Sequence, residues 1–174
     1  MTTTNFQFSI LNFQNKPTKK QAGFTLVETL VSLVILTVAL IPILNLSDGA
    51  SRISATIQDN LIASGLVQEG IEVVRGIRDT NWFNSRAFDL GLSDGAYRTE
   101  WNSTSLLSLA GNPVLNLNNG HYTYTGGTAT KFTRTITITA VNAGELKIVS
   151  QVTWLGRSNV SKSISAEEHL FNWR

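Results

Sequence analysis

The longest uninterrupted hydrophobic run of the chain lies near its N-terminus. From Phe24 to Leu46 most residues are leucine, valine or isoleucine, and Glu28 is the only charged residue among them. A run of about 20 such residues spans the hydrocarbon core of a bilayer when it forms a helix that rises ~1.5 Å per residue. The pattern therefore predicts a transmembrane helix over residues 24–46.

A different hydrophobic pattern follows, in which apolar residues recur every three or four positions from Ala50 to Arg78. This period predicts an amphipathic helix over about residues 50–79, with its apolar side packed on a sheet. The polar positions predict a solvated face, on which Arg75 and Asp79 have the i,i+4 spacing of an ion pair. One apolar stripe contains Ile53, Ile57 and Leu61, and a second contains Ile62, Leu66, Val67, Ile71, Val73, Val74 and Ile77.

Beyond residue 90 the hydrophobic pattern changes to a period of two, which is typical of strands that bury one face. In residues 131–141, Phe132, Ile136 and Ile138 face one side and threonines face the other. Because short turns join successive strands, we predict an antiparallel sheet over about residues 90–174, covered on one face by the helix, an α+β fold. Other predicted strands cover residues 97–101, 114–117, 121–125, 146–155 and 160–166, and Trp82 and Phe83 are expected to fill the junction between helix and sheet.

The charges divide the chain at Gly23. Residues 1–23 contain three lysines and no acidic residue, which leaves 11 of the 14 basic residues and all 12 acidic residues after Gly23. The chain after Gly23 is therefore nearly neutral, which disfavours nucleic acid as a partner. Lysines before the apolar run place residues 1–23 in the cytoplasm and the C-terminal domain outside, with a single pass. We interpret residues 1–23 as a leader that is not part of the fold.

Glu28 is an anomaly within the apolar run. A carboxylate at the centre of a membrane helix costs roughly 2.5–3.5 kcal/mol on insertion scales, which marks it as a candidate functional residue. Alternatively, it lies near the end of the helix and reaches the membrane interface, where the first-turn dipole favours its charge.

The sequence GFTLVE at residues 23–28, followed by the long apolar run, resembles the type IV prepilin signature of pilins and type II secretion pseudopilins. The resemblance implies a pilin-like fold and cleavage between Gly23 and Phe24 by a membrane prepilin peptidase, which also methylates the new N-terminal amine of Phe24. It further implies that Glu28 pairs with the N-terminal amine of a neighbouring subunit. The expected partners are other pilins or pseudopilins, the prepilin peptidase, the inner-membrane assembly platform and the lipid bilayer.

Two further segments refine this resemblance. LVQEGIEVVRGIRDTNW at residues 66–82 and EEHLFNWR at residues 167–174 resemble PilV-like and GspI-like minor pilins. The expected product of cleavage is a structural subunit. Its transmembrane segment covers residues 24–46, and its extracytoplasmic domain covers residues 47–174. The subunit resides first in the inner membrane and then in a pilus or pseudopilus filament. Pro42 removes a backbone hydrogen bond inside the apolar helix, so we expect a kink there.

The remaining residues indicate no catalytic chemistry. The chain contains no cysteine, His121 and His169 are far apart in sequence, and no metal or cofactor is expected. Asp89, Asp94 and Glu100 do not have the spacing of a calcium loop. No phosphate-binding loop, dinucleotide fingerprint or nucleophile elbow is present, so we do not expect an enzyme.

Two alternatives to a structural subunit of a pilus or secretion pseudopilus stay open. One is a membrane-anchored extracytoplasmic β-rich binding module, which predicts an uncut leader and no polymer. The other is a pseudopilin of DNA uptake, which predicts an exposed basic groove and salt-dependent DNA binding.

Overall fold

The computed structural model describes residues 23–157 and 159–173. One α-helix, α1 (Leu26–Phe83), precedes eight β-strands. The chain divides into two compact units between Ser47 and Asp48, so α1 contributes to both. The strands are β1 (Gly95–Arg98), β2 (Leu107–Ser108), β3 (Asn116–Asn118), β4 (His121–Thr123), β5 (Thr128–Ala129), β6 (Thr133–Asn142), β7 (Glu145–Leu155) and β8 (Ser161–Phe171).

In the N-terminal unit, the described residues form the beginning of α1. The hydroxyl of Thr25 accepts a hydrogen bond from the amide of Glu28 (3.2 Å), which caps one of the backbone N–H groups that an α-helix leaves unpaired at its start. Pro42 lies inside α1, and the helix continues from there through residues 45–49. The expected kink at Pro42 stays a prediction.

In the C-terminal unit, the main sheet has five strands in the order β2-β1-β6-β7-β8, and the pairs are antiparallel. A second, three-stranded sheet has the order β4-β3-β5. The predicted α+β architecture, a long N-terminal helix followed by an antiparallel sheet as in type IV pilins, is confirmed. The last strand is longer than its predicted range of 160–166, because β8 pairs with β7 from Ser161 to Phe171.

The apolar stripe of α1 that begins near Ile62 packs against the inner face of the main sheet. Val74 and Ile77 share one buried cluster with Ile136 and Ile148, and Leu66 belongs to a second cluster with Phe132 and Trp154. Helix and sheet approach closely at Gly70, since an added Cβ there would lie 2.6 Å from the Ser150 hydroxyl and 2.7 Å from Ile136 Cδ1.

The expectation that the stripe formed by Ile53, Ile57 and Leu61 packs on the sheet is wrong. All three side chains are exposed, because burial on the sheet begins only at Ile62 and Ala63. The junction prediction is right for Trp82, which packs against the core, and wrong for Phe83, which is 87% exposed.

The predicted pairing of Arg75 with Asp79 is also wrong. Arg75 instead binds Glu72 on its own helix and Glu168 on β8, and hydrogen bonding to Glu168 raises the pKa of Arg75. Asp79 pairs with the neighbouring Arg78 (2.9 Å). Arg75 therefore links α1 to β8 in addition to its pair within the helix.

Arg134 lies inside the core, on the inward side of β6, with 0% exposure. Its Nη1 donates to the carbonyl of Leu66 (2.9 Å) and to Oε1 of Glu69 (2.8 Å), and its Nη2 donates to the carbonyl of Thr99. A buried charge is tolerated only when it is paired and hydrogen-bonded. Arg134 therefore ties α1 to the sheet and to the segment that follows β1.

Candidate functional site

The expected cleavage position lies just before the helix. Gly23 and Phe24 have no helical assignment, and Phe24 is 76% exposed. Within the described part of the chain, no atom comes within 4 Å of the position that a side chain on Gly23 would occupy. The peptide bond between Gly23 and Phe24 is therefore sterically open to an approaching group on the side of the described residues.

Glu28 lies in the first turn of α1. Its backbone carbonyl accepts a hydrogen bond from the Ser32 hydroxyl (2.7 Å), whereas its carboxylate has no ion-pair or hydrogen-bond partner among the described residues. The position at the helix N-terminus favours a negative charge by about 0.3–1 kcal/mol. That gain is smaller than the cost of placing a carboxylate in hydrocarbon, so in a membrane Glu28 is favoured either by a further partner or by reaching the membrane interface.

Three hydroxyl groups of the apolar run are satisfied within the helix. The hydroxyl groups of Thr29, Ser32 and Thr37 each donate to a backbone carbonyl three or four residues earlier, at 2.6–2.8 Å. Such internal bonds remove the cost of exposing a hydroxyl to lipid. Of these polar groups, the Glu28 carboxylate alone lacks a partner in the described residues.

The apolar side chains of this run are not covered by other described residues. Among the described residues, α1 is the one helix long and apolar enough to cross a membrane, and none of its most apolar window is buried. Keeping a Leu, Val or Ile side chain in water forgoes roughly 1.5–3 kcal/mol. The exposed side chains are those of Phe24, Leu26, Val27, Leu30, Val31, Leu33, Val34, Ile35, Leu36, Val38, Leu40, Ile41, Ile43, Leu44 and Leu46.

Residues 18–44 match the family model of the prokaryotic N-terminal methylation motif. The matched range contains Gly23, Phe24, Glu28 and Pro42, and it supports the prepilin-type signature. The motif supports a type IV pilin-like or pseudopilin-like protein and implies prepilin peptidase processing and assembly with other pilins. It points to a structural family, and together with the apolar helix it is consistent with anchoring in the inner membrane.

No curated protein and no solved structure matches the chain. The family match ends at residue 44, so it does not extend to the segments that resemble PilV-like and GspI-like minor pilins.

The two histidines lie in separate environments. His121 stacks on Trp101 with the ring centroids 4.3 Å apart. His169 lies between Glu145, at 2.6 Å from Nδ1, and Glu167, at 3.2 Å from Nε2. Hydrogen bonding to Glu145, and then to Glu167, raises the pKa of His169. Across residues 23–157 and 159–173, no group of three His, Asp or Glu side chains has the arrangement of a metal site.

Sequence reasoning missed the role of Thr25. The spacing Thr-x-x-Glu is the sequence signature of a helix N-terminus, and Thr25 and Glu28 have it. It fixes the start of α1 directly after the expected cleavage position.

Proposed function

We propose that the chain is a structural minor pilin or pseudopilin of a type IV pilus or a type II secretion pseudopilus. Residues 24–46 hold it in the inner membrane, with the C-terminal domain outside, until the assembly platform adds it to a filament. The observation that carries this proposal is the coincidence of the methylation motif at residues 18–44 with an apolar helix whose most apolar window is not buried by any described residue.

In this proposal the prepilin peptidase cuts between Gly23 and Phe24 and methylates the amine of Phe24. Hydrolysis of the peptide bond leaves a carboxylate on Gly23 of the released leader and an ammonium group on Phe24. This ammonium lies about one helical turn from the Glu28 carboxylate along the chain. Both charges then lie in a region of low dielectric, where each is costly alone and attracts an opposite charge strongly. The ammonium of a neighbouring subunit supplies the partner that the Glu28 carboxylate lacks.

Pro42 has a mechanical role in the same proposal. Its missing N–H weakens the helix locally, so the apolar segment bends there and adapts its path to the neighbouring subunits. The apolar surface that the bilayer covers before assembly is covered by other pilins afterwards.

Coexpression with a prepilin peptidase, followed by mass spectrometry of the intact protein, tests the proposal. We expect a chain that begins at Phe24 and carries one additional methyl group. Gly23→Val should block cleavage because it blocks access to the scissile bond. Gly49→Val, in which an added Cβ also meets no atom within 4 Å, is the matched control and should be cleaved normally.

A chain that retains residues 1–23 in cells with an active peptidase would contradict the proposal. That result would favour a tethered extracytoplasmic binding module. A trimmed chain that never enters a filament would limit the proposal to processing.

A further inference from the structure

A cavity of about 850 Å³ with cationic walls lies in the C-terminal unit, between α1 and the turn that joins β7 to β8. Four basic side chains line it, and they come from four parts of the chain. Arg52 lies on α1, Lys131 precedes β6, Arg157 lies in the turn, and Lys162 begins β8. Asp59 is the carboxylate among the lining residues.

The charges of this cavity are only partly balanced. Lys131 pairs with Asp59 (2.7 Å), and Arg52 pairs with an aspartate one turn earlier in α1. In the described part of the chain, Arg157 and Lys162 have no ion pair. The cavity therefore presents two uncompensated positive charges, an arrangement that complements an anion.

Two backbone hydrogen bonds link described residues of the turn between β7 and β8, which carries Arg157. The amide of Gly156 donates to the carbonyl of Val160 (2.9 Å), and the amide of Asn159 donates to the carbonyl of Gly156 (3.0 Å). Lys162 packs along this backbone, since a Cβ on Gly156 would lie 3.2 Å from Lys162 Cε. The backbone contact directs the methylene chain of Lys162 and keeps its ammonium group at the cavity.

Exposed apolar side chains flank the same charges. Leu155 and Val160 both line the cavity and are more than half exposed. A soluble anion gains nothing from apolar neighbours, whereas a membrane surface offers phosphate groups beside acyl chains. Apolar and basic residues together are therefore typical of a surface that contacts an anionic lipid interface.

The position of the cavity in the chain fits such a contact. Arg52 is six residues beyond Leu46, the last residue of the apolar run. Six residues reach at most about 20 Å even when fully extended. We propose that the cavity binds the phosphate groups of anionic phospholipids in the membrane that holds residues 24–46. This inference rests on the membrane anchoring in the proposed function and adds a second contact, made by the globular unit.

Fluorescence quenching in nanodiscs tests the inference with the full chain. Because the chain has no cysteine, Val160→Cys provides a single labelling position beside the cavity. The quencher is a spin label on the lipid headgroup. We expect stronger quenching in discs that contain about one third phosphatidylglycerol than in pure phosphatidylcholine, because each basic residue near an anionic surface favours the docked state about fivefold.

Charge variants then identify the residues responsible. Arg157→Gln with Lys162→Gln should reduce the ratio of docked to undocked domains about tenfold or more in the anionic discs. The matched control is Arg86→Gln with Lys147→Gln, which removes the same net charge from residues that do not line the cavity and should leave quenching unchanged.

Three outcomes would overturn the inference. Equal quenching in both lipid compositions shows that the charges do not contact lipid, and an unchanged signal in the Arg157 and Lys162 double variant shows that other residues do. Equal quenching in the two lipid compositions, together with a response of the label to inorganic phosphate and not to chloride at equal ionic strength, assigns the cavity to a free anion. Co-elution of the chain with the discs tests the anchor separately, so a lost anchor is distinguishable from a lost headgroup contact.

Discussion

The two ends of α1 differ in how their leucine, valine and isoleucine side chains are covered. Up to Leu46 apolar residues occupy every side of the helix, and none of the most apolar window is buried. From Ile62 to Ile77 they form one stripe, and the sheet of the same chain covers it. An apolar surface on all sides therefore indicates a cover outside the chain, whereas a stripe indicates a cover that the fold supplies.

The residues between these ends show a limit of that rule. Ile53, Ile57 and Leu61 have the spacing of a stripe but are exposed like the apolar run before them. Periodicity reports which side of a helix is apolar, and the extent of the sheet decides how much of that side is covered.

The largest expected effect concerns Glu28, which has no function in a helix that only anchors. Glu28→Ala should leave cleavage after Gly23 intact and should abolish incorporation into filaments, because the neighbour's N-terminal ammonium loses its partner in low dielectric. Quantification of the chain in sheared filaments against the membrane fraction measures this. Glu72→Ala, on an exposed position of α1, is the control and should be incorporated normally.

A pair of leucine truncations measures the two kinds of cover directly. Leu66→Ala should lower the free energy of unfolding of the globular unit by about 2–5 kcal/mol, since it leaves a cavity in the core. Leu36→Ala removes the same atoms from the uncovered end and should leave that free energy unchanged. Denaturant unfolding in detergent, followed by tryptophan fluorescence, measures both. Equal losses would contradict the division of α1 into two environments.

Glycines of α1 provide a finer test. Gly70→Ala should cost about 1–3 kcal/mol, because its Cβ would overlap Ser150 and Ile136 on the sheet. Gly76→Ala meets nothing within 4 Å and should stabilise the protein by up to about 1 kcal/mol, the difference in helix propensity. Thermal unfolding of the two variants under one condition compares them, and a stable Gly70→Ala protein would exclude the close approach of helix and sheet.

The smallest expected effect is the pH response of the outer face of the sheet. The raised pKa of His169 means that the folded state binds a proton more tightly than the unfolded chain does. The resulting stabilisation is fully present below the unfolded pKa of about 6.5 and is lost as the pH rises through the folded value. Glu145→Gln should move the pKa of His169 back towards its ordinary value, as measured by NMR titration. An unchanged pKa would show that Glu145 is not its main partner.

Much of the fold follows from the sequence, because each element has a clear period. The apolar run predicts the beginning of α1, and alternation predicts β6 and β7, in which Ile136, Ile138, Ile148 and Val152 face inward. Arg134 shares the inward parity of Ile136, so the same alternation places it in the core. A pattern of hydrophobic residues alone does not reveal this arginine, because its position in the alternation, and not its hydrophobicity, places it inward.

Other features depend on contacts distant in sequence. The sheet order places β1 beside β6, and Arg75 pairs with Glu168, neither of which a local period encodes. At the candidate site, the motif predicts Gly23, Phe24 and Glu28 as the functional residues, and their roles stay predictions. The cationic cavity combines residues from α1 and from three later segments, so no single stretch of sequence indicates it.

Photo-crosslinking in cells tests the central claim most directly. A benzophenone amino acid is placed at Leu36, in the uncovered run, or at Ile71, in the buried stripe. We predict that Leu36 crosslinks to lipid and to other pilin chains, whereas Ile71 crosslinks only within its own chain. Crosslinks from Leu36 to the sheet of its own chain would contradict the claim that residues 24–46 obtain their cover from outside the molecule.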